Sequence, residues 1–168
     1  MKLLAILGVA GSILMVTAPA FSQQADPGWY GQWNMVSEKP GPGAPPAAKM
    51  ARVVMGERGW AYAGLDSNGA LEAGALAIGP NNGCTPVGHP AEYTCTTNFA
   101  DPMHYEFTTL NKGATVEVSK CELSVDKKTI KQSTTVTQAD GKQYSYETTW
   151  AKVQPPAPAK KAPASKKK

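Results

Sequence analysis

Between residues 29 and 153, apolar and polar side chains alternate in short runs with a period of two. Met103, Tyr105 and Phe107 oppose His104, Glu106 and Thr108. Ile130, Thr134 and Val136 oppose Lys131, Ser133 and Thr135. Tyr144, Tyr146 and Trp150 oppose Gln143, Ser145, Glu147 and Thr149. This period marks strands with one buried face. Earlier strands are predicted over 29–36, 49–57, 59–65 and 70–78. Over 115–123 the phase slips, since Val116 and Val118 share one face while Cys121 and Leu123 share the other. A bulge near Ser119-Lys120 would reconcile them. Turn residues separate the runs at Asp66-Ser67-Asn68-Gly69, Asn111-Lys112-Gly113, Asp126-Lys127-Lys128 and Ala139-Asp140-Gly141-Lys142. The last is the clearest turn, because Asp-Gly suits the positive φ of a type I′ hairpin. About eight short antiparallel strands in a meander predict an all-β fold, a small barrel or strongly curved sheet, with a β-sandwich as the alternative.

One run does not alternate. Residues 3–16 are apolar except Ser12, with Lys2 before them. A signal-peptide core needs about 7–15 apolar residues and a spanning helix about 20. Small residues follow, in Ala18-Pro19-Ala20 and Ala20-Phe21-Ser22. The reading is a removable signal peptide over 1–22, cleaved after Ser22, or after Ala20 as the close alternative. No cysteine follows the run, which excludes lipid attachment there, and no later run is apolar enough to span a bilayer. The expected location is periplasmic or secreted, with nothing spanning the membrane after cleavage.

Export changes how charge and cysteine are read. The chain carries 17 basic and 13 acidic residues, a net of +4. Lys2 leaves with the signal, and Lys160, Lys161, Lys166, Lys167 and Lys168 sit in the last stretch. What remains over 23–153 is mildly acidic, so no nucleic-acid partner is expected. Residues 154–168 are almost wholly Pro, Ala and Lys, the composition of a disordered, extended tail. Its lysines are candidate contacts to an anionic envelope surface. Cys84 and Cys95 straddle a turn-rich segment and are predicted to pair in an oxidising compartment. Cys121 is left as a buried thiol or an alternative partner.

Candidate chemistry is sparse. The two histidines are His89 and His104, and no Gly-x-Ser-x-Gly exists. Cys84, His89, Cys95 and His104 match no zinc spacing. No metal or cofactor is expected. Glu92, Glu106, Glu117, Glu122 and Glu147 are read as outward, solubilising positions. A hydrolase would need at least two of His89, His104, Glu92 and Glu106 to converge. The aromatics are more suggestive. Trp33, Trp60, Tyr62, Tyr105, Phe107, Tyr144, Tyr146 and Trp150 alternate onto single faces. They would either fill a solid core or line a cavity for a small apolar ligand.

Gly31-Gln32-Trp33-Asn34-Met35, then Glu38-Lys39 and Pro40-Gly41-Pro42-Gly43-Ala44-Pro45, resembles the opening of a group of small exported proteobacterial proteins of unknown function. These begin Gly-Thr-Trp-x-Leu-Asn before a Gly-Pro-rich turn. The turn at Val125-Asp126-Lys127-Lys128-Thr129-Ile130 and the last hairpin, 137–142 running to Trp150 and Val153, are also similar. The resemblance spans most of 31–153, is weak over 79–101, and implies export and a compact β domain without a mechanism. Gly31-x-Trp33 also resembles the opening of lipocalins, although no Thr-Asp-Tyr motif follows. That likeness implies a Trp closing one barrel end under a basic residue of the last strand, here Lys152.

Overall fold

The computed structural model describes residues 25–78, 83–87 and 90–154. The signal segment, His89 and the tail lysines lie outside them. A one-turn 3-10 helix, Pro27–Trp29, leads into ten strands. These are β1 (Gly31–Pro40), β2 (Met50–Gly56), β3 (Gly59–Leu65), β4 (Leu71–Ile78), β5 (Gly83–Val87), β6 (Tyr93–Asp101), β7 (His104–Asn111), β8 (Ala114–Leu123), β9 (Thr129–Thr137) and β10 (Gln143–Lys152). Each pairs antiparallel with its sequence neighbours, and β1 also pairs with β10, closing a barrel. Closure satisfies both backbone edges of every strand. It therefore replaces the sandwich alternative.

Two strands beyond the expected eight are β5 and β6. They occupy the segment that reads as turns from Pro86 and Pro90, yet Tyr93, Cys95, Thr97 and Phe99 hold one phase across β6. Trp29 belongs to the 3-10 turn rather than to the first strand. A type I′ geometry occurs at Lys112-Gly113, where φ is 50° and 82°, and not at Asp140-Gly141, where only Gly141 is positive. There Gly141 N–H returns to the Gln138 carbonyl at 2.9 Å, a type I turn closed by a left-handed glycine.

The bulges decide which side chains face in. No register shift occurs at Ser119-Lys120. β8 breaks register opposite Thr109/Leu110, leaving Val116 as the extra residue. Glu117, Ser119, Cys121 and Leu123 then share the inward face, against the expected outward place of Glu117. In β1 the shift lies between Met35 and Ser37. Strict alternation from Trp33 and Met35 would aim Lys39 inward. The extra residue, Val36, puts Glu38 inward beside Thr148 and Lys39 outward beside Glu147. Close approach fixes one hairpin. Gly59 has φ +137°, and a Cβ there would overlap the Leu76 carbonyl oxygen, so only glycine lets β3 lie against β4.

Candidate functional site

One end of the barrel is sealed by its own N-terminal turn. The Asp26 carboxylate accepts from Gly28 N–H at 2.6 Å, starting the 3-10 turn that drops Trp29 into the interior. The Trp29 indole donates to the Pro102 carbonyl at 2.8 Å, and Trp33 donates to the Trp29 carbonyl at 2.9 Å. Lys152 lies over the Trp33 ring, 5.0 Å from its centroid, and donates to the Gly28 carbonyl at 2.5 Å. Lys127 pairs with Asp26 at 2.8 Å. That hydrogen bond, then the one from Gly28, holds the Asp26 carboxyl below its usual pKa. Burial lowers the Lys152 pKa, because the ammonium gives up water to sit under the turn.

Above this seal the interior is packed. Trp29 meets Phe99 and Tyr105 edge-on at 6.4 and 6.1 Å, and Trp60 meets Phe107 across the barrel at 5.6 Å. Of the eight aromatics singled out in the sequence, Trp33, Trp60, Tyr105, Phe107 and Trp150 belong to this floor. Such rings dominate core energetics through their buried area. The Tyr105 hydroxyl, on a side chain 3% exposed, faces inward without a hydrogen bond of ordinary geometry among the described residues. Burial pushes its pKa up, and the Trp60 indole pulls weakly the other way.

A polar relay climbs from the floor along β8, β9 and β10. The Trp150 indole donates to Gln132 Oε1 at 2.9 Å. The Gln132 amide donates to Thr134 at 3.1 Å and Ser119 at 3.3 Å. Ser119 and Thr134, both fully buried, share a hydrogen bond of 2.7 Å, and Ser119 reaches Glu117 Oε1 at 3.2 Å. Buried polar groups need such partners. Sequence reasoning missed this relay because Ser, Thr and Gln on a buried face carry no apolar signal.

The opposite end is more exposed and acidic. Tyr62, Tyr93, Tyr144 and Tyr146 point inward but remain partly exposed. Glu38, Glu72 and Glu117 share that interior face. Glu38 accepts from Ala48 N–H at 3.0 Å, and Tyr62 donates to Glu72 at 3.2 Å. Gly74 makes room for the Tyr62 ring, whose nearest atoms lie 3.1 and 3.3 Å from where a Cβ would stand. Burial pushes the Tyr62 hydroxyl up to about 12, aided by Glu72, then Glu117 and Glu38. Tyr146 is also raised, by burial first and then by Glu117. The carboxylates of β1 and β8 thus act on tyrosines of β3 and β10 across one shared space.

Cys84 and Cys95 face each other across β5 and β6 and form the disulfide. Cys121 is a free, buried thiol, pushed up to about 12 by burial. Of the hydrolase candidates, His104 and Glu106 come together on the outer face of the barrel, and none of the described ones faces the interior. Glu92 lies in the turn before β6, not in a strand. His104 and Glu106 face outward, His104 bound to Asp101 at 2.8 Å and Glu106 beside Lys120 at 3.7 Å. They border an outer groove of about 740 Å³ whose rows alternate in charge, as in Lys39–Glu147 and Lys131–Glu122. Opposite charges on neighbouring strands are ordinary sheet stabilisation. Among the described residues no group of three or more His, Cys, Asp or Glu could hold a metal ion, and no helix is long and apolar enough to cross a membrane.

No protein-family model and no curated protein matches this chain. Among solved structures, zebrafish ileal bile acid-binding protein complexed with cholic acid aligns over 75% of this chain and 99% of that one, with 12% identity and a TM-score of 0.37. A likeness of that size carries no argument about ligand or ancestry, and the barrel assignment rests on the strand pairing itself.

Proposed function

We propose that this protein is an exported, non-enzymatic β-barrel that holds a small, partly apolar molecule in its open half. The supporting observation is the asymmetry of the interior: Trp29 seals one end over a packed aromatic floor, while partly exposed tyrosines line the other. Tyrosine suits such a site, with an apolar ring for contact and a hydroxyl for orientation. Export is supported by the signal-like residues 1–22 and fits the Cys84–Cys95 disulfide. Kinship with the small exported proteobacterial proteins belongs to the same proposal. Native mass spectrometry and dye-displacement titration of residues 23–168 test the reading. One small molecule should be retained per chain, and Tyr146→Ala should weaken displacement. A dye that never binds, or binds equally well to Tyr146→Ala, would end it.

A further inference from the structure

We propose that two copies of this chain pair face to face through the outer surface of β2, β3 and β4. The inference is independent of what the interior holds. The barrel wall differs between its two sides. Outward rows across β7 to β10 carry Glu106, Lys120, Glu122, Lys131 and Glu147. Outward rows across β2 to β4 run Met50–Leu65–Leu71, Arg52–Ala63–Ala73 and Val54–Ala61–Ala75. Arg52 is the one charge in those three rows, and its bond of 2.9 Å to Asn34 turns it toward β1. Met50, Val54 and Leu71 are 54%, 51% and 75% exposed. A continuous apolar patch of this kind marks an interaction surface.

Size and shape fit a second copy. From β1 to β4 the face is four strands wide, and β2 is seven residues long, which gives a footprint of about 20 by 23 Å. Its accessible area, roughly 600–800 Å² once side-chain relief is added, is on the scale that each partner of a stable dimer buries. The relief is self-complementary. Met50, Leu65 and Leu71 form a ridge, and beyond it a shallow groove of about 600 Å³ opens over Ala61, Ala75 and Ala77. A two-fold axis running across the strands along Ala63 and Ala73 lays the ridge of each copy in the groove of the other, Leu65 over the partner's Ala61 and Leu71 over the partner's Ala75. Closed pairs use one patch twice in this way, and aligned sheets pack about 10 Å apart. The same axis brings Lys49, exposed before β2, toward the partner's Glu57, exposed after it. Residues 154–168, almost wholly Pro, Ala and Lys, offer no large apolar side chain to fill the groove instead.

Sedimentation equilibrium of residues 23–168 tests the pairing. A monomer–dimer equilibrium should appear at micromolar concentration. Ala73→Glu changes an exposed position where folding is not at stake, and it sets two carboxylates face to face on the axis. It should weaken the dimer by about tenfold or more, while Ser133→Glu on the charged side of the barrel should not. Lys49→Glu should weaken it about threefold, and the charge swap Lys49→Glu with Glu57→Lys should restore it. Sedimentation as a monomer throughout, or a dimer equally strong in Ala73→Glu, would overturn the proposal. A swap that fails to restore pairing would overturn the two-fold arrangement. A monomer that binds phosphatidylcholine vesicles through the same face, and loses them in Ala73→Glu, would assign the face to lipid and overturn the second copy. Dye binding in the interior should be the same in Ala73→Glu, so failure of the dimer and failure of the ligand reading are seen separately.

Discussion

The two ends of this barrel solve opposite problems with the same residue types. At the sealed end an aromatic side chain is inserted and then pinned. Trp29 is 1% exposed, its indole is bonded to Pro102, and its carbonyl is bonded to Trp33. At the open end the aromatics are tyrosines that keep one edge in water and stand beside carboxylates. The first arrangement removes apolar area from water and stabilises the fold. The second leaves apolar area and charge accessible, which stabilises little and leaves surface for a partner. Packed and solvent-accessible aromatics are separated along the barrel axis.

The sharpest way to break this contrast is to truncate one aromatic at each end. Trp29→Ala should cost about 3–5 kcal/mol, as for other fully buried large-to-small changes. Tyr144→Ala, at a partly exposed ring, should cost about 1 kcal/mol. Chemical denaturation midpoints of the two variants measure the difference. Equal losses would mean that the open half is as solidly packed as the floor.

Opening the Cys84–Cys95 bridge comes next. Its sequence separation is 11, and a loop of that size contributes about 3 kcal/mol through restriction of the unfolded chain. Thermal melts of the double Cys→Ser variant should show a correspondingly lower midpoint. No change would mean that closure of the barrel already imposes the restraint.

Cutting the polar relay between the ends should have a smaller effect. Ser119→Ala leaves Thr134 and Glu117 each short of a partner, at about 1–3 kcal/mol. An unchanged denaturation midpoint would mean that Gln132 alone satisfies Thr134.

The smallest effect concerns pH at the seal. The folded pKa of Asp26 is depressed by Lys127 and Gly28. Its contribution is therefore fully present above the ordinary carboxylate pKa and fades as pH falls through the lower folded value. Asp26→Asn should flatten that part of the stability profile. The Cys121 thiol supplies a control: buried and pushed up to about 12, it should resist a disulfide reagent at pH 8 until the chain unfolds.

Some of this was legible from residue order. The alternation of Tyr105 and Phe107, and of Tyr144, Tyr146 and Trp150, gave strands and their inward phase. The spacing of Cys84 and Cys95 gave the disulfide, and the lipocalin likeness placed Lys152 against Trp33. Side-chain period is a local property, fixed by the pleat of a single strand. The eight aromatics could not be divided locally, because the same alternation puts Trp60 in a packed floor and Tyr62, two residues on, at the more exposed opening.

By itself the sequence determined a chain of alternating strands and the pairing of two cysteines. Tertiary structure alone decided closure into a barrel, the sealing of one end by Trp29, and the sign of charge in the open half. That last choice turned on the Val36 bulge and on unbroken alternation from Glu117 to Leu123. A bulge is set by the pairing between strands, and one extra residue exchanges every side chain beyond it between inside and outside. Glu38 rather than Lys39 faces the interior for that reason.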